Sequence, residues 1–571
     1  MQKNTMLSEF GRFSWMADII SSRCVHTWER LSTDSSQISG GKACWTAMRF
    51  ALGVCLAVVM GGLRVLFALW PSLELTCAAA AHALWYWAHV FIAFAISCIR
   101  VATQWGLREA PLIPPHDPRI DCPLILIAGN MGDATRAASQ LSAQGVCALA
   151  PPLGPVSSCH DKACELFYAL KGGVVDFGAS HSAAHHHLRY FGSATSGLLP
   201  EWSASCPVIL ISHSQGASTA RMLVRLLQQQ AFEGHDTSAS WVRGMVCISA
   251  PFNGAALLTS PFGGVPPPTS SVRSPRARAC GHTGSGGCAQ LKQGEEDGKK
   301  EGDTKQACDL TIEQRVGMRA IGASISAGYI LHIFLGWSRS FRAHVWDWRV
   351  DQWQLGWSDL PALLHYQHRL QRSTDTALFE ITEVGAAEFN RLTPPVEGVF
   401  YVSLPCQVTQ GDDAVPLATN SPTHVLLAAI NARWATASQP NHSDGLLSTS
   451  SQLYPQYQPH ALIAELNPPS PLDKPISLDA LRAQSELKRV ALRGKLKAGV
   501  WSHAEPCPLS HSEASLHPKN GLLEHLLWVI LPAMCQAAHE QDDETASTSL
   551  ASARVYMRLN TGVGMTFLEV D

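Results

Sequence analysis

The sequence predicts an α/β fold: a mostly parallel sheet with helices on both faces. Short apolar runs recur, at Pro123-Leu-Ile-Leu-Ile-Ala128, Val146-Cys-Ala-Leu-Ala150, Val208-Ile-Leu-Ile211, Met245 to Ile248 and Phe400 to Leu404. Continuous rather than alternating runs are what strands buried on both faces require. Helical stretches fall between them, from about Thr135 to Gln144, closed by Gly145, and from about Gln215 to Gln230. Strands and helices in alternation build a parallel sheet.

Composition narrows the function classes. Among 571 residues, Lys plus Arg is 43 and Asp plus Glu is 46, a formal net charge of -3. A phosphate-binding surface spread over the protein is excluded, and with it nucleic acid as a partner. With 46% hydrophobic and 16% charged residues, the chain is too apolar for general disorder and needs a large core or a membrane segment. The cysteine count is odd, 17 in all, without CxxC pairs. Free thiols in a reducing compartment fit better than a disulfide framework.

Residues 1–45 are a polar N-terminal segment. Residues 46–110 read as a transmembrane helical hairpin, the alternative being a pair of buried core helices. Phe50 to Trp70 is apolar apart from Arg64, and Leu75 to Ile99 is charge-free and long enough to cross a bilayer. Trp85, Tyr86 and Trp87 lie mid-run rather than at an interface. Basic residues flank both ends (Lys42 and Arg49 before, Arg100, Arg108 and Arg119 after), so both flanks and the catalytic domain are expected to face the cytosol. Residues 116–540 form the α/β domain and 541–571 a C-terminal tail. Within the domain, 264–305 holds Pro266-Pro-Pro268, many Gly and Ser, and Glu295-Glu-Asp-Gly-Lys-Lys-Glu301. It reads as a disordered insertion.

Ser212-His-Ser-Gln-Gly216 joins the third strand to its helix. Small residues two before and two after a serine allow a sharp strand-to-helix turn that exposes the hydroxyl, so Ser214 is the expected nucleophile. A serine hydroxyl needs a base, and the base needs a carboxylate to orient it. Asp444, in His442-Ser-Asp-Gly445, and Asp413, in Gly411-Asp-Asp-Ala414, are candidate acids. His503, His511, His517 and His525 are candidate bases.

Several segments carry a family resemblance in the right order. They include Pro152-Leu-Gly-Pro155, Asp161-Lys-Ala-Cys-Glu165, Gly172-Gly-Val-Val-Asp-Phe-Gly-Ala179, Gly197-Leu-Leu-Pro-Glu201, His213-Ser-Gln-Gly216, Asp351-Gln-Trp353 and Ser373-Thr-Asp-Thr-Ala377. From about Cys122 to Cys535 the chain resembles the zinc-containing bacterial lipases of the Geobacillus and Staphylococcus group, which have the α/β-hydrolase fold. The resemblance implies Asp444 as the acid, because the family's acid lies in an Asp-Gly turn. It implies His511 as the base, ten residues after Gly499-Val-Trp501. It also implies an oxyanion hole from the backbone N–H groups of Gln215 and Asn130, although Ala128 and Asn130 depart from the family's usual residues.

The same resemblance implies a structural Zn²⁺ held by Asp161, His181, His187 and Asp351, the histidines lying in His181-Ser-Ala-Ala-His-His-His187. Mixed imidazole and carboxylate ligation suits zinc, and four protein ligands close the site to water. Calcium is not assigned: Glu513 matches one ligand, but Pro518 stands where an aspartate is expected. A lid is expected between Phe252 and about Trp346. In it, Ile321 to Trp337 is apolar and uncharged, able to meet lipid or to form a buried core helix.

The sequence therefore predicts a membrane-anchored serine ester hydrolase acting on glycerolipid acyl esters, first of all triacylglycerol. The alternatives are a phospholipase or galactolipase of the A1 type, and a catalytically silent membrane scaffold. The sequon at Asn441 lies three residues before Asp444, where a glycan would crowd the site, which argues for a cytosol-facing domain or for an unused sequon.

Overall fold

A computed structural model of the chain describes residues 74–104, 120–130, 132–143, 145–255, 329–330, 332–333, 348–364, 368–434, 442–468, 478–492, 494–515 and 522–543. The chain divides into two compact units, Met1–Arg108 and Glu109–Asp571.

In the first unit the charge-free run lies within a helix, Glu74–Gln104. Its interior holds Trp85, Tyr86, Trp87 and His89, whose Nδ1 bonds the Trp85 carbonyl at 2.8 Å. Among the described residues no helix is long and apolar enough to cross a membrane. The expected hairpin is therefore without support among the described residues, and its first run, Phe50 to Trp70, lies outside them.

Among the described residues, the second unit holds eleven strands. They are β1 (Leu124–Ile127), β2 (Ala148–Leu149), β3 (Gly173–Asp176), β4 (Tyr190–Thr195), β5 (Val208–His213), β6 (Val242–Ile248), β7 (Phe400–Leu404), β8 (Thr409–Gln410), β9 (Val415–Pro416), β10 (His460–Leu462) and β11 (Trp501–His503). Seven form one sheet in the order β10-β11-β7-β6-β5-β1-β2, and every neighbouring pair is parallel. This is the mostly parallel sheet that the sequence predicts. The pairs β3–β4 and β8–β9 are separate antiparallel ribbons.

Alternate residues of each central strand enter different cores. Leu124, Leu126, Ile209, Ile211, Val246 and Ile248 pack with Leu522 to Ala538 on one face. Ile125, Ile127, Val208, Leu210, Met245 and Cys247 pack on the other face with the helices Cys159–Lys171 and Gly216–Gln228. Burial on both faces explains why the strands read as unbroken apolar runs.

A third, smaller core joins Val156, Tyr329, Ile333, Val350, Trp353, Leu363 and Leu370. It contains the described part of the Ile321 to Trp337 run. Tyr329 and Ile333 are buried there, which favours core packing over lipid contact at those two positions. The rest of the expected lid, the 264–305 insertion and Asn441 lie outside the described residues.

Candidate active site and metal centre

Ser214 sits between β5 and the helix Gly216–Gln228 with φ at +54°. That left-handed backbone is unfavourable for serine and is held by its surroundings. Its N–H bonds the Ile248 carbonyl at 2.9 Å. Gly216 is required: a Cβ there would meet the Ile127 carbonyl oxygen at 2.5 Å and that of Ala128 at 2.8 Å. The bulkier Ser212 is tolerated because its hydroxyl donates to the Val246 carbonyl at 3.1 Å.

Ser214, His511 and Asp444 meet at the carboxyl ends of the strands. The Ser214 Oγ lies 3.0 Å from His511 Nε2, and His511 Nδ1 lies 2.8 Å from Asp444 Oδ2. The other Asp444 oxygen accepts from the Leu446 and Leu447 N–H groups at 2.9 and 2.7 Å. The His511 N–H donates to the Asp444 carbonyl at 2.9 Å, tying the base loop to the acid turn. Gly445 completes that turn with φ at +100°, and a Cβ there would strike His424. Burial alone would raise the Asp444 carboxyl, but His511 and the converging donors hold it below the ordinary aspartate value.

The rivals lie elsewhere. Asp413 is exposed on the β8–β9 turn. His503 is in β11 with its ring against Tyr454, and His525 bonds the Leu466 carbonyl. His517 lies outside the described residues. Glu513 caps its own turn, accepting from the Ser510 N–H and hydroxyl and from the Asn420 N–H.

Two further side chains complete the site. Ser249, just after β6, is fully buried, donates to Asp444 Oδ2, and places its Oγ 2.9 Å from His511 Nδ1. Its signal in the sequence was its place at the carboxyl end of a buried strand, shared with Ser214. His213 presents Nε2 to the His511 carbonyl at 2.9 Å. Burial pushes its imidazole down to about 3, so it is neutral. Among the described residues, the backbone N–H groups of Gln215 and Asn130 donate to no acceptor. Gln215 directly follows Ser214, and Gly129, next to Asn130, lies against it, since a Cβ on Gly129 would meet Ser214 Cβ at 2.6 Å.

A second cluster gathers Asp161, His181, His187 and Asp375. Asp161 is in the first turn of Cys159–Lys171, capped by Ser158. His181 is in the helix Ala179–His185, and His187 follows His186, the left-handed residue that ends it. His181 Nε2 lies 3.2 Å from Asp161 and 3.3 Å from Asp375; His187 Nε2 lies 3.3 Å from Asp375 and 3.9 Å from Asp161. A tetrahedral Zn²⁺ with bonds of about 2.0–2.1 Å spaces its ligands roughly 3.3 Å apart. One atom of each residue is buried without a hydrogen bond of acceptable geometry: Asp161 Oδ1, His181 Nε2, His187 Nε2 and Asp375 Oδ2. Such orphans are costly unless a cation answers them. The Leu188 carbonyl takes His187 Nδ1 at 2.8 Å, leaving Nε2 for a metal. Burial pulls the His181 imidazole down, but the Asp161 and Asp375 carboxylates outweigh it and lift it to about 9.

The fourth member corrects the sequence-derived ligand set, which had Asp351. Asp351 opens a 3-10 turn, Asp351–Trp353, in which successive side chains fan out by about 120°. Gln352 therefore reaches Asp161 at 3.2 Å and Trp353 lies against His187. Asp351 faces His332 instead, at 3.3 Å. The carboxylate in the cluster comes from Ser373-Thr-Asp-Thr-Ala377.

Known proteins resemble part of this chain. The family described as "Lipase-like, C-terminal domain" matches residues 121–243. The chain is 45% identical to the lipase of Staphylococcus hyicus over 73 residues, which is 13% of this chain and 11% of that protein. It is 35% identical to lipase 2 of Staphylococcus aureus over 97 residues, 17% of this chain and 14% of that protein. The chain thus spans a small part of these relatives' lengths. The solved Staphylococcus hyicus lipase aligns over 78% of this chain and 100% of its own, at 18% identity and a TM-score of 0.46. Lipase 1 from Pelosinus fermentans aligns over 72% and 99%, at 19% identity and a TM-score of 0.42. In the segment the sequence matches cover, the chain is similar to the Staphylococcus-type lipases, as its motifs imply.

Proposed function

We propose that this chain is a serine carboxylic-ester hydrolase, a lipase acting on acyl esters of glycerolipids, triacylglycerol first among them. The observation that carries the reading is the chain of contacts from Ser214 Oγ through His511 to Asp444, at 3.0 and 2.8 Å. Ser214 attacks the ester carbonyl while His511 Nε2 takes its proton. The C=O electron pair moves onto oxygen, which the Gln215 and Asn130 N–H groups receive. Collapse expels the alcohol, protonated by His511, and leaves an acyl-serine. Water, deprotonated by the same imidazole, then releases the fatty acid and restores Ser214. Asp444 holds the tautomer and stabilises the imidazolium. Removing one oxyanion donor costs about 2.7–4 kcal/mol.

The second cluster fits a divalent cation, and its nitrogen and oxygen donors suit Zn²⁺. Asp161, His181, His187 and Asp375 would hold it. A metal with four protein ligands supplies cross-linking rather than an activated water.

Labelling with a fluorophosphonate probe tests the activity. Labelling that is lost in Ser214→Ala supports it, whereas folded wild-type protein that does not label points to the silent scaffold. Hydrolysis across triacylglycerol, phospholipid and galactolipid panels ranks the substrates. Membrane attachment through residues 46–110, with the hydrolase domain facing the cytosol, belongs to the same proposal. Carbonate-resistant sedimentation of the full chain, with protease access to the domain from the cytosolic side, checks it.

A further inference from the structure

The motif Asp161-Lys-Ala-Cys-Glu165 contains a residue that neither proton transfer nor metal binding uses. Lys162 lies in the first turn of the helix Cys159–Lys171 and is 5% exposed. Lysine is almost never buried without a partner, because its head group loses its water. Its charge is answered by the nearby Glu380 and Glu165 carboxylates, and its hydrogen-bond partner is Asn130: Nζ donates to Asn130 Oδ1 at 2.5 Å. Asn130 Nδ2 donates in turn to Gln215 Oε1. Gln215 Nε2 then donates to the Ala377 carbonyl at 2.7 Å.

The direction of this chain is fixed at both ends. An ammonium only donates and a carbonyl only accepts. Asn130 must therefore turn its oxygen to Lys162 and its amide nitrogen to Gln215. Gln215 must turn its oxygen to Asn130 and its nitrogen to Ala377. Each amide has one orientation that satisfies every contact. The two residues so clamped are the two whose backbone N–H groups stand free beside Ser214.

We propose that Lys162 is a positioning residue of the oxyanion hole, which fixes the Asn130 backbone donor relative to that of Gln215 through the Lys162–Asn130–Gln215–Ala377 chain. This rests on the serine hydrolase reading above and adds a device to it. The Asn130 loop leaves β1 and the Gln215 turn leaves β5, and no backbone hydrogen bond joins Asn130 to Gln215 among the described residues. The side-chain bridge supplies that link, and Lys162 braces its outer end. The departure at Asn130 acquires a purpose: its amide can both accept from Lys162 and donate to Gln215.

The test uses the full chain, a soluble short-chain p-nitrophenyl ester, and Lys162→Met, Lys162→Arg, Asn130→Ala and the Lys162→Met/Asn130→Ala double variant. A misplaced donor lowers kcat by about 10- to 100-fold. That loss is expected in Lys162→Met and in Asn130→Ala, with KM within about twofold, because the donors act on the developing oxyanion rather than on bound ester. The double variant should be no slower than the slower single variant, and Lys162→Arg, which keeps a donor, should recover most of kcat. Unchanged kcat in Lys162→Met, multiplying losses in the double variant, or a rise in KM with kcat intact each overturns the proposal. If Lys162→Met does not fold, Asn130→Ala and Lys162→Arg carry the test: unchanged kcat in the first, or full loss in the second, overturns it. Fluorophosphonate labelling of the wild type separates the two readings. Wild type that labels while Lys162→Met keeps full kcat removes the brace alone; wild type that does not label removes the hydrolase.

Discussion

Two clusters in this molecule draw on the same side chains, histidine and aspartate, and differ in how their polar atoms are answered. In the Ser214 cluster every hydrogen-bonding atom of the imidazole and the carboxylate has a partner: Asp444 accepts from His511, Ser249, Leu446 and Leu447. In the Asp161 cluster the four facing atoms have no hydrogen bond of acceptable geometry. The first arrangement is complete without any added group, with an imidazole that can take a proton and a carboxylate that orients it. The second is incomplete and asks for a cation. Residue type alone does not separate a proton relay from a metal cage; satisfaction of the donors and acceptors does.

The largest effect that could break this contrast is on turnover. Ser214→Ala or His511→Ala should lower kcat on the order of 10⁶-fold while leaving the metal content unchanged. Parallel loss of metal would mean that the clusters are one unit. Next, His187→Ala or Asp375→Asn should remove about one zinc per chain by elemental analysis and lower Tm. Asp351→Asn should leave metal content untouched, and equal loss in Asp351→Asn would restore the sequence-derived ligand set.

Ser249→Ala sharpens the first cluster. It deletes one of the bonds to the Asp444 carboxylate, worth about 1.5–3 kcal/mol for a charged acceptor, and should reduce kcat by about tenfold in steady-state assays. The smallest effect is on acid stability. The folded Asp444 carboxyl is held below its ordinary value, so its stabilisation is present above the unfolded pKa near 3.9 and is lost as pH falls through the lower folded value. Urea titrations of wild type and Asp444→Asn should therefore converge as pH drops below about 4. A gap that stays constant down to pH 2 removes the assignment.

The sheet was legible because buried parallel strands leave unbroken apolar runs such as Leu124 to Ile127. Ser214 was legible because its turn needs small neighbours on both sides. The short strands β10 and β11 were not, since three residues such as His460-Ala-Leu462 carry no periodicity. The acid and base could not be chosen from composition. Asp444 and Asp413 both sit in glycine-containing turns, and only the family pattern separated them. Asp375 was hidden for a related reason: two aspartates in matched segments, 351 and 375, are equivalent as letters, and a 3-10 turn decides which one faces the histidines. Ser249 and Lys162 act across sequence separations that no local pattern records.

The bonds along the chain that join Asp161 to Lys162, and Asp375 through Thr376 to Ala377, have a consequence for the molecule as a whole. Each carboxylate that would grip a metal is covalently within two residues of an end of the bridge clamping Asn130 and Gln215. Tension at one place then has only a few rigid peptide units to cross, so the proposed cation cage and the Ser214 centre would be mechanically geared. Stripping the metal should then blunt turnover before it melts the sheet.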